Sequence, residues 1–169
     1  GLGPDIAYED CHKKTVSAKS WSVLKKQNSV IACMGGVPGV IMMIKVAIIG
    51  LGIMGRRMLS HMRRHTNFEP DYLWDANQSA CQRATLLDPK SYIMDSANDA
   101  ISKADLVYLA CPPAFRELYA LEAAAAGKAL FLEKPFGINI DDSARMMGRL
   151  KSYDVPVAVN FTQASGIPL

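Results

Sequence analysis

The chain has little of what marks a metal site, a disulfide scaffold, a membrane span or a polyanion-binding surface. Its four cysteines, Cys11, Cys33, Cys81 and Cys111, stand far apart with no Cys-x-x-Cys pair. That spacing argues against a zinc site and a disulfide framework, so a reducing, cytoplasmic setting is the default expectation. Only three histidines occur, and none follows His65. His61 and His65 share a helix face, but the residues between them are Met62, Arg63 and Arg64, which reads as a solvated basic helix end. A net charge of +3 is too small to drive binding to nucleic acid or a membrane surface. The apolar stretch from Val30 to Ile44 is interrupted by Gly35, Gly36, Pro38 and Gly39 and is too short to span a bilayer.

What remains suits a soluble α/β domain: half the 169 residues are hydrophobic and 21% are charged. A chain of this length buries one good core and little more. Residues 1–42 carry Lys13, Lys14, Lys19, Lys25 and Lys26 ahead of the apolar stretch. A signal peptide has that order, but no polar cleavage region separates the stretch from the next element. The preferred reading is a loose or non-native extension, with Met42 or Met43 a natural start.

From Ile44 the pattern alternates strand and helix. Strands are predicted at Ile44–Ile49, Tyr72–Trp74, Tyr92–Met94, Leu106–Ala110, Ala129–Leu132 and Val155–Phe161. Helices are predicted at Ile53–His65, Ser79–Leu87, Asn98–Lys103, Ala114–Ala126 and Asp141–Tyr153, with Gly127 as one C-terminal stop and Asp141 or Asp142 near one N-terminus. Six such alternations imply a doubly wound parallel sheet of the Rossmann type.

Two segments carry candidate chemistry. Gly50-Leu51-Gly52-Ile53-Met54-Gly55 follows a predicted strand and opens a predicted helix, the context a dinucleotide fingerprint requires. Gly50 permits the tight turn, Gly52 lets a pyrophosphate approach the backbone, and Gly55 allows close helix packing. Ile53 and Met54 lie at the helix N-terminus, whose free N–H groups suit phosphate. Asp75 lies 20 residues beyond Gly55, at the end of the second strand, and suits the adenosine ribose hydroxyls. A carboxylate there repels a 2′-phosphate, so NAD is favoured over NADP. Ala110, Cys111 and Pro112 end the fourth strand at the same edge, either as part of the cofactor site or as a rigid strand exit. Glu133-Lys134 ends the fifth strand. The pair is either simply solvated or places Lys134 beside the nicotinamide, where an ammonium can polarise a substrate oxygen.

These segments, with Ala104–Pro113 and Ala126–Gly137 in order, resemble the Gfo/Idh/MocA oxidoreductases (glucose-fructose oxidoreductase, inositol dehydrogenase and their relatives) over residues 43 to about 165. Glu133-Lys134-Pro135 is the specific part of the match. The resemblance implies an NAD(P)-dependent enzyme moving a hydride to or from a secondary alcohol or ketone of a sugar, cyclitol or polyol. In it Lys134 would be catalytic and Pro135 would fix the turn. Arg116 stands where the family often has a histidine, and Gln163 near where an arginine is common. The family's C-terminal domain has no counterpart here. The expected layout is therefore an extension at 1–42, a dinucleotide-binding domain at 43–165, and the start of a missing domain at 166–169. A homo-oligomer is expected only of the full-length enzyme. The glycine stretch also resembles β-hydroxyacid dehydrogenases, and a non-catalytic nucleotide-binding module is a further reading.

Overall fold

A computed structural model describes residues 43–160. The expectation of a loose segment at 1–42 and that of a domain start at 166–169 both lie outside the described residues.

The described chain alternates β1 (Ile44–Ile49), α1 (Ile53–Arg63), β2 (Phe68–Trp74), α2 (Gln78–Leu87), β3 (Tyr92–Ile93), α3 (Ala97–Lys103), β4 (Leu106–Leu109), α4 (Pro113–Ala125), β5 (Ala129–Glu133), α5 (Ile140–Leu150) and β6 (Val157–Asn160). The strands form one sheet in the order β3-β2-β1-β4-β5-β6, and every pair is parallel. Most predicted boundaries agree within two residues.

The alternation of side chains along each strand makes two cores. Ala47, Ile49, Val107, Leu109, Leu130 and Leu132 face one way and pack with residues of α3, α4 and α5. Val46, Ile48 and Tyr108 face the other way and pack with residues of α1 and α2. Burying one such aliphatic side chain fully stabilises the fold by about 1.5–3 kcal/mol, which is why β1 and β4 contain almost nothing polar.

Three elements differ from expectation for physical reasons. β2 starts at Phe68, four residues earlier than predicted, although Pro70 lies inside it. The sheet accepts the proline through a register shift: Lys45 pairs with Glu69 and Ala47 with Tyr72, so two residues of β2 oppose Val46. α1 ends at Arg63 instead of His65. α5 ends at Leu150 instead of Tyr153, and Asn139 is its N-cap, accepting from the Asp142 N–H at 2.8 Å. Asp141 and Asp142 lie in its first turn.

Candidate functional site

β1 is the switch point of the sheet: the chain first winds outward to β2 and β3, then returns to β4 on the other side. In open α/β sheets ligands bind outside the carboxyl ends of the strands at that point. The glycine turn lies there. Gly50 has φ +97°, and a Cβ on it would meet the Cys111 backbone nitrogen at 2.5 Å. A Cβ on Gly55 would lie 1.9 Å from the Gly50 carbonyl oxygen, so helix and turn touch backbone to backbone. A Cβ on Gly52 would meet nothing within 4 Å. Gly50 and Gly55 are therefore required by the fold itself, whereas Gly52 faces open space.

No side chain caps the N-terminus of α1, whereas Asn77, Ser96 and Asn139 cap α2, α3 and α5. Its first-turn N–H groups, on Ile53 and Met54 among others, are thus left without a side-chain acceptor. Asp75 closes the turn from the neighbouring strand: one carboxylate oxygen accepts from the Leu51 N–H at 2.6 Å and the other from the Asn77 N–H at 2.7 Å. Each oxygen keeps acceptor capacity for a further donor. Arg56 donates to the Leu51 carbonyl at 2.6 Å, so the Leu51 peptide is gripped at both ends. The sequence did not single out Arg56.

At the exit of β4, Ala110 is half-buried, Cys111 is buried, and Pro112 is exposed as the residue preceding α4. Burial pushes the Cys111 thiol above its ordinary range, and the Arg116 guanidinium only partly offsets this. Such a thiol stays protonated and unreactive near neutrality.

At the end of β5 the two charges separate. Glu133 is buried at 4% exposure, so it is not a solvated strand end. Its Oε1 accepts from the Tyr108 hydroxyl and from the Asn160 side-chain amide. Burial, and then the bond to this carboxylate, raise the Tyr108 hydroxyl far above its ordinary value, so Tyr108 remains a donor. Lys134 is exposed, and its ammonium has no partner among the described residues. The Lys134–Pro135 peptide is cis. Arg116 is buried beneath this loop, with only 2% of its surface exposed. It donates to the carbonyls of Cys111 at 2.6 Å, Glu133 at 2.6 Å, and Pro135. Neither the Tyr108–Glu133–Asn160 cluster nor this role for Arg116 was readable from spacing, because the partners come from separate elements.

His61 is exposed in the last turn of α1 and His65 is exposed just beyond the helix, and no group of three His, Cys, Asp or Glu that could hold a metal occurs among the described residues. No helix among them is long and apolar enough to cross a membrane.

The winding, the glycine turn and the acid just after β2 together define a dinucleotide-binding domain of the Rossmann type. The sequence pattern of the Gfo/Idh/MocA oxidoreductases, described as an oxidoreductase family with an NAD-binding Rossmann fold, matches residues 44–161. The chain belongs to that family. Curated proteins gave no match. Solved structures with the same fold include scyllo-inositol dehydrogenase from Lactobacillus casei, at TM-score 0.68 and 18% identity over 76% of this chain and 39% of that one. Another is myo-inositol dehydrogenase from the same organism, in complex with NAD(H) and myo-inositol, at TM-score 0.68 and 21% identity over 74% and 38%. A third is biliverdin reductase from Synechocystis, in complex with biliverdin and NADP+, at TM-score 0.66 and 18% identity over 73% and 39%. The chain spans less than two-fifths of the length of these relatives.

Proposed function

We propose that this domain serves hydride transfer between NAD and a secondary alcohol or ketone carbon of a sugar, cyclitol or related polyol. The observation that carries the reading is the placement of Lys134. It is a solvent-facing, unpartnered ammonium at the carboxyl end of β5, two strands from the glycine turn that ends β1. The inositol dehydrogenases among the structural relatives support the substrate class.

In this reading Gly50, Gly52 and Gly55 open the turn to the diphosphate, with the N–H groups of Ile53 and Met54 donating to it. Asp75 takes the adenosine ribose hydroxyls on the lone pairs that Leu51 and Asn77 leave free. Ala110, Cys111, Pro112, Glu133 and Lys134 line the nicotinamide end. When bound, the nicotinamide supplies the hydride acceptor or donor. Lys134 holds the reacting oxygen. During reduction of a ketone, negative charge grows on that oxygen, and the ammonium offsets it. During oxidation of an alcohol the same ammonium steadies the forming alkoxide. Glu133 is 4% exposed, and its Oε1 accepts from Tyr108 and Asn160, so its role in this reading is structural. It orients the β5 exit. The relatives extend well beyond this domain, and in this reading a segment of that kind would supply the remaining substrate contacts and the base that takes the alcohol proton.

The test is a screen of polyols for NADH formation by this domain within a protein of the relatives' full length, with Lys134→Ala beside the unmodified protein. We expect kcat to fall about a hundredfold or more and the NADH dissociation constant to change less than about threefold, since the lysine acts mainly in the transition state. An unchanged kcat removes Lys134 from the chemistry. Turnover of no polyol by a protein that binds NADH favours a non-catalytic nucleotide-binding module.

A further inference from the structure

We propose that Arg116 is the positioning residue for Lys134, fixing the backbone on both sides of the lysine and tying that loop to the exit of β4. The inference rests on the role given above to Lys134. One guanidinium nitrogen, Nη1, donates to the carbonyl of Glu133, just before the lysine, and to that of Pro135, just after it. The other, Nη2, donates to the Cys111 carbonyl at the end of β4. The residue between two carbonyls held on a single nitrogen has little freedom of direction. Lys134 is thus free at its ammonium and fixed at its backbone, as a group that must meet a substrate oxygen requires.

Chemistry explains why an arginine is needed. Three carbonyls converge in a buried space, and the guanidinium offers a rigid fork of N–H donors that no other side chain has. A cation so buried is costly to hold. No ion pair within 4 Å offsets it among the described residues, and Nε has no partner there. The Glu133 carboxylate, held by Tyr108 and Asn160, acts on it only from a longer range. The fold bears this cost at the one loop that carries Lys134. A histidine here would supply at most two ring N–H donors, so the loop depends on this arginine.

The experiment compares Arg116→Met and Arg116→Lys with the unmodified chain. Three quantities are read: hydrogen exchange at 134–137, meaning the amides of Lys134, Phe136 and Gly137 because Pro135 has none, NADH affinity, and kcat against KM for any polyol turned over. Arg116→Met should speed exchange at 134–137 by about tenfold or more while amides of β1 and α1 keep their protection. It should lower kcat about tenfold or more with NADH affinity within about threefold. Lys134→Ala added to it should cost much less than in the unmodified protein. Arg116→Lys, which keeps the charge and three donors, should restore part of each loss, and it carries the test if Arg116→Met does not fold. Unchanged exchange at 134–137 overturns the positioning role whether or not a polyol is turned over. Equal loosening across the whole sheet overturns it as well, since that is a purely structural role. Faster local exchange supports the positioning role whether or not a polyol is turned over, and the polyol screen alone decides the proposed activity.

Discussion

Gly50, Gly52 and Gly55 look alike in sequence but differ in what holds them. Gly50 needs its positive φ, and both it and Gly55 are pressed against backbone atoms. We expect Gly50→Ala to destabilise the fold by at least about 1–2 kcal/mol, the scale of a left-handed residue before any clash is added, and Gly55→Ala by about 1–3 kcal/mol, the scale of overpacking, because its Cβ would press on the Gly50 carbonyl. Gly52→Val should leave the melting temperature nearly unchanged, because a Cβ there meets nothing. Thermal melts of the three variants check this, and a large loss in Gly52→Val contradicts it. Asp75 would carry two duties: its carboxylate holds Leu51, and in the proposed reading it also takes the ribose hydroxyls. Asp75→Ala should therefore weaken NADH about tenfold or more, the scale of hydrogen bonds to a charged group. It should weaken NADPH less, so calorimetric titration should find the gap narrowed. The types and spacing of these residues were legible in the sequence. The hold of Asp75 on Leu51 was not, nor was the grip of Arg56, because both rest on contacts with a backbone peptide.

At the scale of elements, the strands were the most legible feature. A continuous β-branched run such as Ile44–Ile49 has few other places to go than a sheet covered on both faces. β2 was legible only in part, because Glu69, Pro70 and Asp71 hide its first half. Its stability comes from side chains elsewhere. Arg63, at the end of α1, donates to Asp88 at 2.7 Å, Asp71 at 2.9 Å, Ser91 at 3.0 Å and the Pro70 carbonyl. This group ties the bulged strand to the start of β3. Although burial opposes it, the bonds from Ser91 and Arg63 hold the Asp88 carboxyl below its ordinary value. The sign follows: a carboxylate depressed in the fold contributes stability at pH above its unfolded value, near 4. That stability is lost as pH falls through the lower folded value. Denaturant titrations between about pH 5 and 2 should show stability falling with acid. Arg63→Ala should flatten that dependence. An identical acid slope in the variant contradicts the assignment. The cap of α5 is simpler: Asn139→Ala should cost about 1 kcal/mol, read as a shift of the denaturation midpoint without a change in slope.

For the whole molecule, the sheet order determines where chemistry can occur. β1, β4 and β5 are neighbours, so the glycine turn, the Cys111–Pro112 exit and Lys134 share one edge although they are scattered through the sequence. The parallel winding let the sequence place them at that edge. The buried joint beneath it was not legible, because the joint is made of backbone carbonyls gathered by Arg116 and of a Glu133 locked between β4 and β6. A ligand that binds only the folded state must stabilise the molecule, by about 2.7 kcal/mol at a hundred times its dissociation constant. NADH should accordingly raise the melting temperature of the unmodified protein, and raise that of Gly52→Val by about half as much or less at the same concentration. The central claim is that this edge is an NAD site built on an open glycine turn. Calorimetric titration of NADH into the unmodified protein and into Gly52→Val tests it most directly. The account predicts one-to-one binding in the first and an affinity at least about tenfold weaker in the second, with both proteins equally folded. Equal affinities in the two proteins, or no binding to the unmodified one, would contradict it.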